Sequence, residues 1–210
     1  MKAGGAMETR VGATVGVAEH ANFVILVTLG EDAGVLDRRR IALTGPELPT
    51  HPHHHEGSWA VGRYLDTPGA RHISLADAVA LVERVRAAAE HGACKGLDAL
   101  ARAVAVPITR IALRVCPELP PTIEERIADH RAQTFADGVM YRHALAAAAE
   151  ERGWLVHWYA RDRVLAEAAA VAGQRDIESF LRAMGRALGP PWQAPHRLAA
   201  AAAMAAARLA

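Results

Sequence analysis

The sequence predicts an α/β domain on a five-stranded mixed sheet, and three observations carry that prediction. Three β-rich stretches follow one another between Val11 and Thr44 with no helix between them. Helical stretches then alternate with two further strand-like runs, and helices fill the rest of the chain. A meander followed by a strand, helix, strand, helix succession places the later strands parallel to the first, each reached through a crossover helix. The expected strand order is 3-2-1-4-5, with helices on both faces.

Each element has a local reason. VGATVGVAEH, ANFVILVTLG and GVLDRRRIALT carry the β-branched content of strands, and turn-prone residues separate them at Glu19 to Asn22 and at Gly30 to Gly34. Residues 45–72 are rich in Pro, Gly and His and show no helical or strand period, which reads as a long loop insertion. Ser74 and Asp77 form a capping-box signature, and Leu75, Val79, Val82 and Val85 recur at helical spacing. This helix is expected to run to about His91, with a separate helical piece after Gly96. ITRIALRVC is the fourth strand, stopped by Pro117, Pro120 and Pro121. Thr122 with Glu125 opens a helix expected to reach Arg152, where Gly153 ends it. WLVHWYA is the fifth strand, and the stretches RDRVLAEAAAVAG, DIESFLRAMGRALG and HRLAAAAAMAAARLA are helical.

Composition narrows the class. The chain is 51% apolar and 22% charged, far from the signature of disorder, and its formal net charge of +1 makes no argument for a polyanionic partner. Residues 1–10 are small and aperiodic and are expected to form a flexible leader, with residues 11–210 as one domain. The opening MKAGGAMETR lacks the apolar core of a secretory signal, and the alanine-rich end is too short to span a bilayer. Cys94 and Cys116 have no paired spacing and read as reduced, half-buried thiols. A cytoplasmic protein is expected.

Several side chains could carry chemistry. HPHHHEG, His51 to Gly57, puts four histidines and Glu56 within six positions; this is either a solvated, pH-sensitive loop or a partial metal site in which His55 or Glu56 folds over a cleft. Alternation puts Arg38 and Arg40 on one face of the third strand and Arg39 on the other. Arg126, Arg131 and Arg142, interspersed with Glu124, Glu125 and Asp129, look like an ion-paired, solvated helix face. Trp154 and Trp158 share a strand face by parity and read as core. There is no glycine-rich phosphate loop, serine nucleophile elbow or HExxH motif.

The element order resembles the ribonuclease-H-like superfamily, and within it the RuvC-type Holliday-junction resolvases. Three local matches accompany it. VGVAEHANFVILV has Glu19 where the family's first strand carries an aspartate. IALRVCPELPP offers Cys116 at the strand end and Glu118 just beyond, where a second carboxylate is expected. HRLAAAA places His196 where the last helix opens with an acid, with Gln193 one turn earlier. The resemblance implies a metal-dependent nuclease acting on DNA or RNA phosphodiesters, with Glu19, Glu118 and His196 as catalytic and metal-binding residues and His55 and Glu56 near by. Histidine nitrogen in place of a carboxylate shifts the expected cofactor from magnesium towards manganese, with zinc a third option. The alternative is a catalytically degenerate module that keeps the fold to bind nucleic acid or a protein. Nucleic acid and a second copy of the chain are the partners to look for, and a membrane is not. Ligands of one metal site must converge, so the two readings differ in whether those residues meet.

Overall fold

The computed structural model describes residues 12–207, so the expected leader lies outside the described residues. Three strands come first, β1 (Ala13–His20), β2 (Phe23–Leu29) and β3 (Val35–Ala42), then the short helix α1 (Glu56–Ala60) and the long helix α2 (Leu75–Ala103). They are followed by β4 (Ile108–Arg114), α3 (Ile123–Ala128), α4 (His130–Glu151), β5 (Leu155–Tyr159), α5 (Val164–Ala172), α6 (Ile177–Leu188) and α7 (Ala194–Ala207). The sheet order is β3-β2-β1-β4-β5, as the element order predicts. β1 to β3 pair antiparallel; β4 runs parallel to β1, and β5 parallel to β4. The carboxyl ends of β1, β4 and β5 therefore open on the same edge. Among the described residues no helix is long and apolar enough to cross a membrane.

The sheet separates two cores. Val15, Val17, Val24, Leu26 and Ile111 face α2 and α4 on one side. Ile25, Val27, Leu29 and Ala112 face α5, α6 and α7 on the other. Alternation along β1 puts Glu19 on the α2/α4 side and His20 on the α7 side. The alanines of α7, buried from Ala199 to Ala203, let it lie close on the sheet. Closest is Gly16, where an added Cβ would fall 1.8 Å from the carbonyl oxygen of Ala199.

Glycine explains one departure from the sequence reading. α2 does not end near His91 but continues to Ala103. A Cβ at Gly92 would lie 2.2 Å from the Leu43 carbonyl oxygen, and one at Gly96 would lie 2.6 Å from the Ile41 side chain. These glycines admit β3 and its following residues against the helix; the tertiary approach outweighs their poor helix propensity. The opposite departure occurs at Asp129, which breaks the expected single helix into α3 and α4. Its backbone is extended, and its side chain accepts from the N–H groups of Arg131 and Ala132, so this exposed acid is the N-cap of α4. Nor are the arginines of that stretch surface ion pairs: Arg126 donates to the Pro120 and Pro121 carbonyls, and Arg142 is 5% exposed.

Residues 45–72 are less open than a solvated loop. α1 forms within them, and His53, Glu56 and Ser58 are buried. Trp154 is core, but Trp158 is 36% exposed on β5 and is a correction to the parity reading. On β3 the arginines divide as alternation requires. Arg39 pairs with Asp37, whereas Arg38 donates to the carbonyls of Leu188, Gly189, Pro190 and Pro191 and ties the α6–α7 connection to the sheet.

Gly16→Ala must push α7 off β1 and is expected to cost roughly 3 kcal/mol, with Gly92→Ala comparably destabilising at α2. Urea unfolding of the two variants checks this; an unchanged midpoint in both would show that the helices are not held this close.

Candidate functional site

The parallel strands end together, and a wide cleft sits there. Glu19 follows from β1, Arg114 to Pro117 from β4 and its exit, Ala160 to Asp162 from the exit of β5, and Thr134 to Arg142 from α4. Its volume is about 930 Å³. A crevice outside the carboxyl ends of parallel strands is where α/β sheets receive ligands, because neighbouring connections diverge to opposite faces there.

The electrostatics of the cleft are set by arginine. Glu19 Oε1 lies 3.6 Å from Arg114 Nη1 and 3.8 Å from Arg142 Nε, while its Oε2 is buried and has no hydrogen-bond partner among the described residues. Arg142 is held from behind. Its Nε donates to the Gly138 carbonyl at 2.9 Å and its Nη1 to the Val115 carbonyl at 2.7 Å, which fixes the guanidinium between α4 and the β4 exit. Arg114 is more open, and Arg161 and Asp162 are exposed at the mouth. Phe135 lines the cleft with 40% of its surface exposed. Burial raises the Cys116 thiol above its ordinary value, so this residue is a neutral part of the wall.

Asp137 brings the histidine loop to this site. Its Oδ1 accepts from the His53 backbone N–H at 3.0 Å and from His53 Nδ1 at 2.8 Å, and its Oδ2 accepts from the His54 backbone N–H at 3.1 Å. Two further latches join the same segment to α4. The Tyr141 hydroxyl donates to the Thr50 carbonyl, and Gln133 Oε1 accepts from Ser58 and Arg63. Burial pushes the Tyr141 phenol well above its ordinary range, so it remains a donor. His51 is thereby placed in the cleft wall with Glu19. Asp137, Arg142 and Gln133 were not among the residues singled out as a site from the sequence. The only signal for Asp137 was a lone carboxylate inside an alanine-rich helix, and Arg142 looked like one of several surface cations.

The other sequence candidates lie elsewhere. Glu118 is exposed and lines a neighbouring pocket with Pro120, Asp129 and Arg131, which meets the cleft at Pro117 and Phe135 but does not contain Glu19. His196 lines a pocket on the α7 side with Phe23, Arg38 and Arg40. Its Nδ1 accepts from the Gln193 backbone N–H, the bond a capping-box Glu or Gln makes, and its ring packs 6.0 Å from Trp192. Burial lowers its pKa, which keeps the ring in the neutral form this bond requires. His55 is exposed, stacking loosely with His51 and His54, and the buried Glu56 has its pKa raised by burial.

This donor set does not fit a divalent cation. Glu19 is faced by two guanidiniums where a metal site needs converging oxygens, and Glu118 and His196 open on other pockets. Among the described residues no group of three or more His, Cys, Asp or Glu side chains could hold a metal ion.

The antiparallel meander on one side of β1 and two parallel strands on the other decide the fold. It is ribonuclease-H-like. No protein-family model matches the chain, and no curated protein matches it. Among solved structures it is similar to T. thermophilus RuvC in complex with a Holliday junction substrate, at 14% identity and TM-score 0.49 over 92% of this chain and 90% of that one. It is also similar to a second Thermus thermophilus RuvC structure, at 14% identity and TM-score 0.45 over 92% of each chain.

Two outcomes follow from this geometry. Asp137→Ala strips one buried and one part-buried backbone N–H group and the His53 ring of their acceptor, so a loss of about 3 kcal/mol is expected. Hydrogen exchange at the His53 and His54 amides should accelerate beyond that of the sheet, and unchanged exchange would mean that the loop is held by other contacts. Burial also lowers the pKa of His54, His143, His157 and His196 below their ordinary 6.5. The unfolded chain then binds more protons below that pH, so their contribution is full above about pH 6.5 and is lost as pH falls through the depressed values. Glu56, raised by burial, acts in the opposite sense, its contribution being lost as pH rises above 4.5. The thermal midpoint should drop between about pH 7.5 and pH 5.5, and His157→Gln with His54→Gln should flatten that drop.

Proposed function

We propose that this chain is a ribonuclease-H-like module that binds nucleic acid through an arginine-lined cleft and has no metal-dependent nuclease activity. One observation carries the reading: the carboxylate at the end of β1 faces Arg114 and Arg142, so cationic side chains stand where the chemistry of metal-dependent hydrolysis needs converging acids.

The surroundings support an anionic ligand. Asp137 accepts from three N–H donors and Glu19 is opposed by two guanidiniums, which leaves Asp162 as the other carboxylate of the lining. Arg114 and Arg161 are open to solvent, and Arg guanidinium matches phosphate geometry in a bidentate way. The half-exposed Phe135 beside them adds a face on which a base can stack, which favours nucleic acid over an acidic protein segment.

Fluorescence anisotropy with labelled DNA and RNA in EDTA tests the reading. Binding is expected without divalent ions and should weaken steeply with salt, and Arg114→Ala with Arg161→Glu should lower affinity about tenfold and reduce the salt slope. Glu19→Gln separates the two functions by sign. In an arginine cleft it removes a competing charge and tightens binding; in a metal-dependent nuclease it abolishes cleavage. Cleavage by the parent with manganese or magnesium, lost in Glu19→Gln, would overturn the binding module.

A further inference from the structure

The cleft does not end at Glu19. Glu19 and Arg161 also line an adjoining depression of about 400 Å³ that contains His20 and Arg197. His20 and Pro195 in turn line a third hollow of about 480 Å³, on the α7 side, with Phe23, Arg38 and Arg40. The three hollows share walls and form one path over the carboxyl end of β1, from the α4 face of the sheet to the α7 face. Arginines mark its whole length: Arg114 and Arg142 at one end, Arg161 and Arg197 at the middle, Arg40 at the other. The middle section has two acids: Glu19, opposed by Arg114 and Arg142, and Glu178, engaged by Arg182 at 3.5 Å and Arg197 at 3.8 Å.

The far end is built from stacked groups. His20 and Phe23 are directly paired residues across the β1–β2 turn, and their rings lie parallel within 7° at 5.1 Å. The Arg40 guanidinium lies 3.9 Å from the Phe23 centroid. His20 and Arg40 are the exposed members of this stack. Phe135 supplies an exposed aromatic at the opposite end, so both ends of a cationic path carry planar groups.

We infer that this path carries a single nucleic-acid strand from the Arg114–Arg142 cleft, over the end of β1, to a base-stacking terminus at His20, Phe23 and Arg40; the inference rests on the nucleic-acid reading above. Stacking selects a single strand, because bases within a duplex already have both faces covered and only a splayed base offers one to a side chain. Length follows from the sheet. Three inter-strand gaps from β4 to β3 span about 14 Å, and the crossing from one face of the sheet to the other adds to this, so a strand must be several nucleotides long to touch both ends. The shared chemistry of ribose and deoxyribose strands leaves both as ligands.

Anisotropy competition in EDTA with the full chain tests this, using oligothymidylates of three and six nucleotides, a six-nucleotide oligouridylate, a twelve-base-pair duplex and polyglutamate. The six-nucleotide strand is expected to bind at least about tenfold tighter than the three-nucleotide one. Arg40→Glu and His20→Ala, both at exposed positions outside the cleft, should each lower six-nucleotide affinity about tenfold and leave three-nucleotide affinity within about twofold. Preference between the thymidylate and the uridylate identifies DNA or RNA as the source. Six-nucleotide affinity insensitive to both substitutions, or stronger competition by the duplex or by polyglutamate, overturns the path while leaving the cleft. No nucleic-acid binding by the parent would instead remove the cleft reading itself.

Discussion

A hydrogen atom at Gly16 sets the spacing on which this molecule depends. Any side chain there would meet the backbone of α7 at Ala199, so the helix rests on the centre of the sheet at a distance that only glycine below and alanine above allow. With α7 pressed onto β1, its first turn at Ala194 to Arg197 reaches the carboxyl end of that strand. On the other face Gly92 and Gly96 do the same for α2 against the end of β3. Close packing of this kind leaves few alternative arrangements, since protein interiors are filled to near crystal density. It fixes the edge where β1, β4 and β5 finish, and with it the cleft.

Within that frame the charges are arranged around arginine. Arg142 is a nearly buried cation whose partners are two carbonyl oxygens and a carboxylate beyond hydrogen-bond distance. A charge so placed is tolerated because the carbonyls replace much of its lost hydration, and it projects a fixed positive field into the cleft. Asp137, five residues earlier on α4, spends its acceptor capacity on the histidine loop and adds little free negative charge. The two residues divide the labour of α4, one shaping the wall and the other its potential. Glu19 sits between Arg114 and Arg142 as a carboxylate opposed by two cations, an arrangement that does not suit a divalent ion.

The sequence determined the architecture by itself. Alternation and turn residues specified the β1–β3 meander, the capping residues Ser74 and Thr122 marked helix starts that the structure keeps, and the succession of elements dictated the order β3-β2-β1-β4-β5. These features are local or combinatorial, and each leaves its mark on neighbouring residues. Glu19 was legible as a site residue for the same reason: it lies at the carboxyl end of the first strand, so the fold aims it at the common edge. The partners of that residue, and the lengths of the helices around it, were decided only by the tertiary structure. Gly92 and Gly96 read as a break because propensity cannot see a strand lying against the helix, and the cap at Asp129 was missed because a cap depends on the turn its backbone takes. His196 and Glu118 sit at sequence positions that suggest convergence, but His196 caps α7 on one side of the sheet and Glu118 opens on another pocket. Arg114, Arg142 and Asp137 come from distant segments, and no spacing along the chain records that three-dimensional packing sets a guanidinium beside Glu19 and a carboxylate beneath the histidine loop.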